Sequence, residues 1–389
     1  MYRKLFIATA TLMGTIIGAG ILGIPYVVAK AGFLTGLVNI IVIGMAVLIV
    51  NLYFGEVCLR TKGSHQMPGY AYKYLGKLGK DILTLSMVFG IYGALIAYMI
   101  GEGEALKAIF GGSSLPYSLI FYMTMAILVY FGLKTVGKSE LIITNFIIIL
   151  IILISAISIY NVKISNLDSF SISKLFIPYG VVLFAFWGAA AIPEVKELLE
   201  KDKDKVKKAI LIGSLIPLIV YLLFTFVVVG VIGIEDFYSL QPNERIATVA
   251  LSRFILGPVG VFANLFAIMA MATSFLSLSI ALKEMFNYDY GVNEKISYVL
   301  VLIIPLIVFL INYFLSITSF MGALEIAGVI TGGIAGVIIV LMFWKAKKLG
   351  DRKPEFSIHE SKFIGALLIL LFLFGIVYEV LKLTGILGL

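Results

Sequence analysis

Polar chemistry is scarce in this chain of 389 residues. It has one cysteine, Cys58, two histidines, His65 and His359, and charged side chains at only 13% of positions. A lone cysteine closes no internal disulfide, and two histidines in separate polar stretches form no metal-ligand cluster. No Ser/His/Asp constellation or paired-carboxylate signature is present, so the sequence does not read as an enzyme. Soluble globular chains carry about 25% charged and about 45–50% apolar residues, whereas hydrophobic residues make up 61% here. That balance excludes an ordinary soluble fold.

What the chain has in abundance is uncharged apolar sequence. Charge-free runs cover 5–29, 31–55, 82–101, 108–133, 141–162, 175–193, 209–234, 254–282, 296–324, 326–344 and 363–378, and most reach the roughly 20 residues that cross a bilayer. We read an all-α integral membrane protein with 11 transmembrane helices. At roughly 20–25 residues each, these take up about 220–275 positions, and a soluble domain of about 100–150 residues has no room. That argues against an appended ATPase or kinase. The apolar run after Met1–Phe6 is longer than a secretory h-region and lacks a small-x-small cleavage site, so we read it as the first spanning helix.

Orientation follows from Lys and Arg, because short basic loops stay cytoplasmic. With an inside N-terminus, 23 of the 30 basic residues fall in inner segments and seven in outer ones, the latter matched by seven acids: Glu102, Glu104, Asp168, Glu235, Asp236, Glu244 and Glu379. The expected location is the plasma membrane, multi-pass, with a cytoplasmic N-terminus and an extracellular C-terminus. The net charge of +8 is then a property of the cytoplasmic face and gives no reason to expect nucleic acid as a partner. The sign-alternating stretch 196–205 reads as a solvated loop.

Two helices concentrate glycine and proline at mid-membrane depth, where backbone polar groups must be satisfied internally. The first reads Gly14-Thr15-Ile16-Ile17-Gly18-Ala19-Gly20-Ile21-Leu22-Gly23-Ile24-Pro25, and the sixth reads Phe184-Ala185-Phe186-Trp187-Gly188-Ala189-Ala190-Ala191-Ile192-Pro193-Glu194. Such segments can unwind, offering free N–H groups to anions and free carbonyls to cations. An amino acid's carboxylate and ammonium match that pair of surfaces. Helices one and six also occupy matching places if helices one to five and six to ten are two repeats, the strongest sequence pointer to a transporter site. The stripe Gly328-x-x-x-Gly332-x-x-x-Gly336 reads instead as close packing.

The helix-one motif, the Phe-Ala-Phe-Trp-Gly start and Pro193-Glu194 end of helix six, and Thr273-Ser274-Phe275-Leu276 in helix eight resemble the amino acid/auxin permease and aromatic amino acid permease families of the amino acid, polyamine and organocation superfamily. The resemblance covers nearly the whole chain and implies the fold of the bacterial leucine transporter. On that basis the chain is one transmembrane domain, 1–389. It holds a 5+5 inverted repeat (about 5–162 and 175–345), broken helices 1 and 6, and one extra C-terminal helix (about 360–382). The resemblance places the substrate carboxylate on the amides of Ala19 and Gly20 beside Gly18, and the ammonium on carbonyls of Ile16 and of Phe184, Ala185, Phe186, Trp187 and Gly188. Phe186, Trp187 and Tyr92 would set side-chain selectivity. A coupling ion would meet carbonyls near Gly14 and Ile17 and the hydroxyls of Thr273, Ser274 or Ser277, an oxygen set that suits Na+.

Protons and sodium both remain open as the coupling cation. Sodium-coupled members of the amino acid/auxin group often have an asparagine where Gly14 stands, and some proton-coupled relatives have a lysine in helix five, where 141–160 has none. Glu325 interrupts apolar helix ten, where a comparable acid costs roughly 2.5–3.5 kcal/mol on insertion scales, and it is the candidate proton carrier. Glu56 and Glu194 read as partners of loop lysines or caps of the inner gate. Gly132–Ser139 matches the phosphate-loop pattern, but it joins two spanning helices with no strand before it, so no nucleotide is expected. The sequence thus reads as a secondary active transporter importing amino acids, neutral or aromatic, by cation symport with alternating access and no cofactor. The alternative is an amino acid sensor or germinant-receptor-like subunit of the same fold. Uptake measurements separate the two.

Overall fold

The computed structural model describes residues 2–131, 136–255 and 258–386, and its described regular structure is helical. The first helices are α1 (Tyr2–Ile16), α2 (Gly20–Ala31), α3 (Phe33–Arg60), α4 (Met67–Phe110), α5 (Ser114–Tyr130) and α6 (Val136–Ser158). A short pair follows, α7 (Tyr179–Phe186) and α8 (Ile192–Leu198). The remainder are α9 (Val206–Ser239), α10 (Ala247–Phe254), α11 (Pro258–Glu284), α12 (Glu294–Leu315), α13 (Phe320–Gly328), α14 (Ala335–Leu349) and α15 (Lys362–Leu383). Among the described residues, eight helical segments are long and apolar enough to cross a membrane, and α1 with α2, bent by 48°, makes a ninth. Gly132–Thr135 of the phosphate-loop-like motif lie outside the described residues.

Burial sorts these helices into a centre and a rim. α2 is apolar all round, and every residue but Lys30 is buried, as expected for a helix enclosed by others. All of α7 but Phe184 is buried as well. At the rim, α12 shows Ile296, Val299, Ile303, Ile307 and Ile311 on one side and buries Val301, Leu302, Pro305 and Phe309 on the other. Its 22 residues span about 33 Å, enough for a hydrocarbon core of about 30 Å. The outward row of isoleucines is a lipid face.

Apolar runs and helices do not coincide everywhere. The charge-free run 296–324 holds two helices, because Ser316 takes a left-handed φ of 51° and the Ser319 side chain accepts from the Gly322 amide to cap α13. Charge alone cannot mark that turn, which is built of Ser and Thr. α4 and α9 likewise run past single spans and bend where Gly76 and Gly233 adopt positive φ. The glycine stripe packs as read: a Cβ on Gly328 would lie 2.0 Å from the Gly180 carbonyl oxygen, and one on Gly336 would lie 2.6 Å from the Phe372 ring.

At the end richest in Lys and Arg, two polar clusters join helices. Buried Glu56 of α3 accepts from Arg60 Nε at 2.8 Å, Lys347 Nζ at 2.6 Å, Ser357 Oγ at 3.2 Å and the Ile358 amide at 2.5 Å. Lys196 of α8 donates to the carbonyls of Thr61 and Gly63 at 3.2 and 2.9 Å and to Tyr70 Oη at 3.3 Å. Partial burial pushes the nearby His65 imidazole below its ordinary range, and Lys196 and Lys73 lower it further. These clusters fix α3, α8, α14 and the start of α4 to one another.

Candidate functional site

Both glycine-rich helices are interrupted where the sequence suggests. α1 stops at Ile16, and the Gly18 amide turns back onto the Ile16 carbonyl at 2.9 Å. The chain becomes helical again at Gly20. In the sixth helix, Trp187 is extended at ψ 98°, the three alanines 189–191 form one 3-10 turn, and Pro193 stands near the start of α8. Proline fits a helix start because its missing N–H has no partner there anyway.

The two interruptions face each other. A Cβ on Gly20 would sit 2.4 Å from Ala185 Cα, one on Gly18 would sit 2.2 Å from Ser274 Oγ, and one on Gly188 would sit 2.8 Å from Leu12 and Ile16 side chains. Glycine at these positions lets the backbones of helices one and six and the side chain of Ser274 meet. Tyr221 of α9 closes the junction: its hydroxyl lies 2.6 Å from the Ile16 carbonyl oxygen and 3.0 Å from that of Ala185. Its ring packs on Phe186 at 4.9 Å.

Beside this junction lies a cavity of ≈ 30 Å³ walled by Gly18, Ile91, Tyr98, Phe184, Trp187 and Leu278, among others, none of them charged. That is room for a few waters, well below the about 300–1,000 Å³ of an open ligand pocket. Trp187 Nε1 is buried here without a hydrogen-bond partner, a donor of a kind that native structures nearly always satisfy. Met67 and Met87 are in the same wall, and unbranched thioethers adapt readily to an entering group.

Of the expected side-chain determinants, Trp187 lines this cavity and Phe186 does not, since its ring is held between Tyr221 and the Gly44 surface of α3. Tyr92 also stands away from it, donating its hydroxyl to the Leu300 carbonyl of α12 at 2.7 Å. The helix-three aromatic in the cavity is Tyr98. At the ion position, Ser274 Oγ lies 3.4 Å from the Gly14 carbonyl oxygen, while Thr273 bonds back to Met269 and Ala270 of its own helix at 3.0 Å. Ile17 is buried in the break, and Ser277 is half-buried on α11. Glu325 is separate from all of these: it accepts from Lys382 of α15 at 2.7 Å, and its backbone packs against Gly180. Paired in this way, it links α13 and α15. Tyr98 and Tyr221 escaped the sequence reading, because a tyrosine in an apolar helix gives no sign of which neighbour it meets.

The sequence profile of the tryptophan/tyrosine permease family matches residues 1–382. The chain belongs to that family. It is 27% identical over 372 residues to the tyrosine-specific transport system 1 of Haemophilus influenzae, covering 89% of each chain. It is 25% identical over 369 residues to glutamine transporter 2 of Aliivibrio fischeri, covering 92% of this chain and 93% of that one. These relatives are transport proteins rather than enzymes. Among solved structures, MhsT in complex with L-phenylalanine superposes with a TM-score of 0.71 over 97% of each chain at 17% identity, so the two share a fold. A multi-pass membrane permease of the expected aromatic amino acid group therefore stands behind the geometry.

Proposed function

We propose that this permease is a secondary active transporter that imports neutral or aromatic amino acids by cation symport with alternating access. Its chain forms eleven spans: α1 with α2, α3, α4, α5, α6, α7 with α8, α9, α11, α12, α13 with α14, and α15. Spans one to five and six to ten are inverted repeats, and α15 is the extra helix. The basic end faces the cytoplasm, which leaves the C-terminus outside. The observation that carries the reading is the meeting of two broken helices, one at the head of each repeat, beside an uncharged cavity with an unpartnered indole N–H.

The substrate carboxylate docks on the Ala19 and Gly20 amides, where the start of α2 concentrates positive partial charge. The ammonium meets the Ile16 carbonyl and those of Phe184 to Gly188. Tyr98, Phe184 and Trp187 enclose the side chain, and the lack of charge in that wall is what favours neutral and aromatic substrates. The tyrosine and glutamine in the relatives' names fit the same description.

A proton gradient is the driving force. Sodium is the second reading, favoured by the approach of Ser274 Oγ to the Gly14 carbonyl. Purified protein in proteoliposomes, given labelled L-tyrosine, L-tryptophan, L-phenylalanine or L-glutamine under separately imposed pH and sodium gradients, tests all of this. Accumulation under a pH gradient is expected. Accumulation under sodium alone replaces the proton, and saturable binding with no uptake under either gradient makes the chain a sensor.

A further inference from the structure

Charge counting along the sequence places Glu102 with the outer-loop acids, but the structure puts it inside α4. It is fully buried, and neither carboxylate oxygen has a hydrogen-bond partner among the described residues. An intramembrane acid is expensive and marks ion or proton pathways when it has no structural partner. Three other acids of the spans behave differently: Glu56 has four donors, and Glu325 and Glu379 share Lys382, although Glu379 Oε2 has no partner among the described residues.

Position adds a second argument. Tyr98, four residues earlier and so one turn along the same face of α4, lines the cavity between the broken helices. Glu104, two residues later, borders a separate cleft of ≈ 700 Å³ together with Lys107, Gln241 and Glu244. Along α4, Glu102 thus lies between Tyr98 at the amino acid cavity and Glu104 at the cleft, bordering neither space itself. Charged groups on the elements packed against α4 are engaged elsewhere. Glu104 pairs with Lys107, Arg253 of α10 with Glu244, Glu325 of α13 with Lys382, and Lys347 of α14 with Glu56. Arg245 donates to Tyr26, and α5 has no charged residue. Lys283, Glu284, Asp289, Glu294, Lys295, Lys345 and Lys348 lie at the basic end of the bundle. Among the described residues no fixed cation is placed to neutralise Glu102, and a proton is the partner that fits a sealed carboxylate.

We propose that Glu102 carries the coupling proton. Its carboxylate takes up one H+ from the outer cleft, and the resulting acid returns that H+ to the cytoplasm once per amino acid imported. This rests on the proton-driven reading above and names the residue responsible. The test compares wild type, Glu102→Gln and Glu102→Asp in proteoliposomes with a pH-sensitive dye inside, using whichever of the four amino acids the wild type imports. Wild type and Glu102→Asp should acidify the lumen as substrate enters. Glu102→Gln, which mimics the neutral acid, should still exchange labelled for unlabelled substrate but lose at least about tenfold of the proton flux. A Gln variant with the wild-type ratio of protons to substrate overturns the proposal, a result that a purely structural role for Glu102 predicts. Wild-type uptake without proton movement also overturns it and leaves transport standing, whereas no wild-type uptake removes both readings. Should Glu102→Gln fail to fold, calorimetry of wild-type binding in buffers of different ionisation heat decides: heats independent of buffer show no linked proton and defeat the proposal.

Discussion

Replacing Tyr221 with phenylalanine probes the junction with the smallest possible change. The ring that packs on Phe186 is kept, and only the hydroxyl between the Ile16 and Ala185 carbonyls is lost. Because that hydroxyl has one proton for two acceptors, the loss amounts to one shared hydrogen bond in a fully buried place. A buried polar group left without its partner costs about 1–3 kcal/mol, which is the expected drop in unfolding free energy. In the proposed site the same hydroxyl holds the two breaks in register for an amino acid that touches both. If that register is needed for binding, the loss reappears as a rise in Kd of roughly 5- to 150-fold. Thermal unfolding in detergent reads the first quantity, and equilibrium binding of a labelled amino acid reads the second. A Tyr221→Phe protein with lowered stability and unchanged affinity would show the hydroxyl to be a staple with no part in the site. A protein unchanged in both would refute the reasoning outright.

Three further substitutions address other parts of the structure. Gly20→Leu drives a side chain into the Ala185 backbone, where even a Cβ lies 2.4 Å from Cα; binding should be abolished and stability lowered by about 1–3 kcal/mol or more, so normal affinity in a folded variant contradicts the placement of the carboxylate. Trp187→Phe removes the unpartnered indole N–H while keeping a ring in the wall, so competition assays should show a changed ranking of amino acid substrates, and an unchanged ranking assigns Trp187 to packing. Glu56→Ala strands Lys347 and the Ile358 amide. Breaking a buried pair in this way costs about 3–5 kcal/mol, which differential scanning fluorimetry can read; a shift within error would mean that water already satisfies the cluster.

The helices were legible because lipid allows few charges, so run lengths mark spans, and because glycine and proline cluster where a helix must open. The breaks at Ile17–Ala19 and Trp187–Ala191 follow directly from that rule. What escaped were features set by partners far away in sequence. Lys382 neutralises Glu325 from another helix. Tyr92 and Tyr98 differ only in the direction they point, and Thr273 returns to its own backbone while Ser274 reaches across to Gly14. Glu102 looks like a loop acid because charge counting assumes that acids end helices. Here one continues through the bundle.

The crossing at Gly20 and Ala185 also has a mechanical meaning. Gly20 rests directly on Ala185 there, while α2 packs along α7 on one side of the breaks and α1 along α8 on the other. Each pair behaves as one bar, and the crossing is their common fulcrum. Under the alternating-access reading proposed above, that fulcrum is the joint at which the two ends of the permease would move in turn.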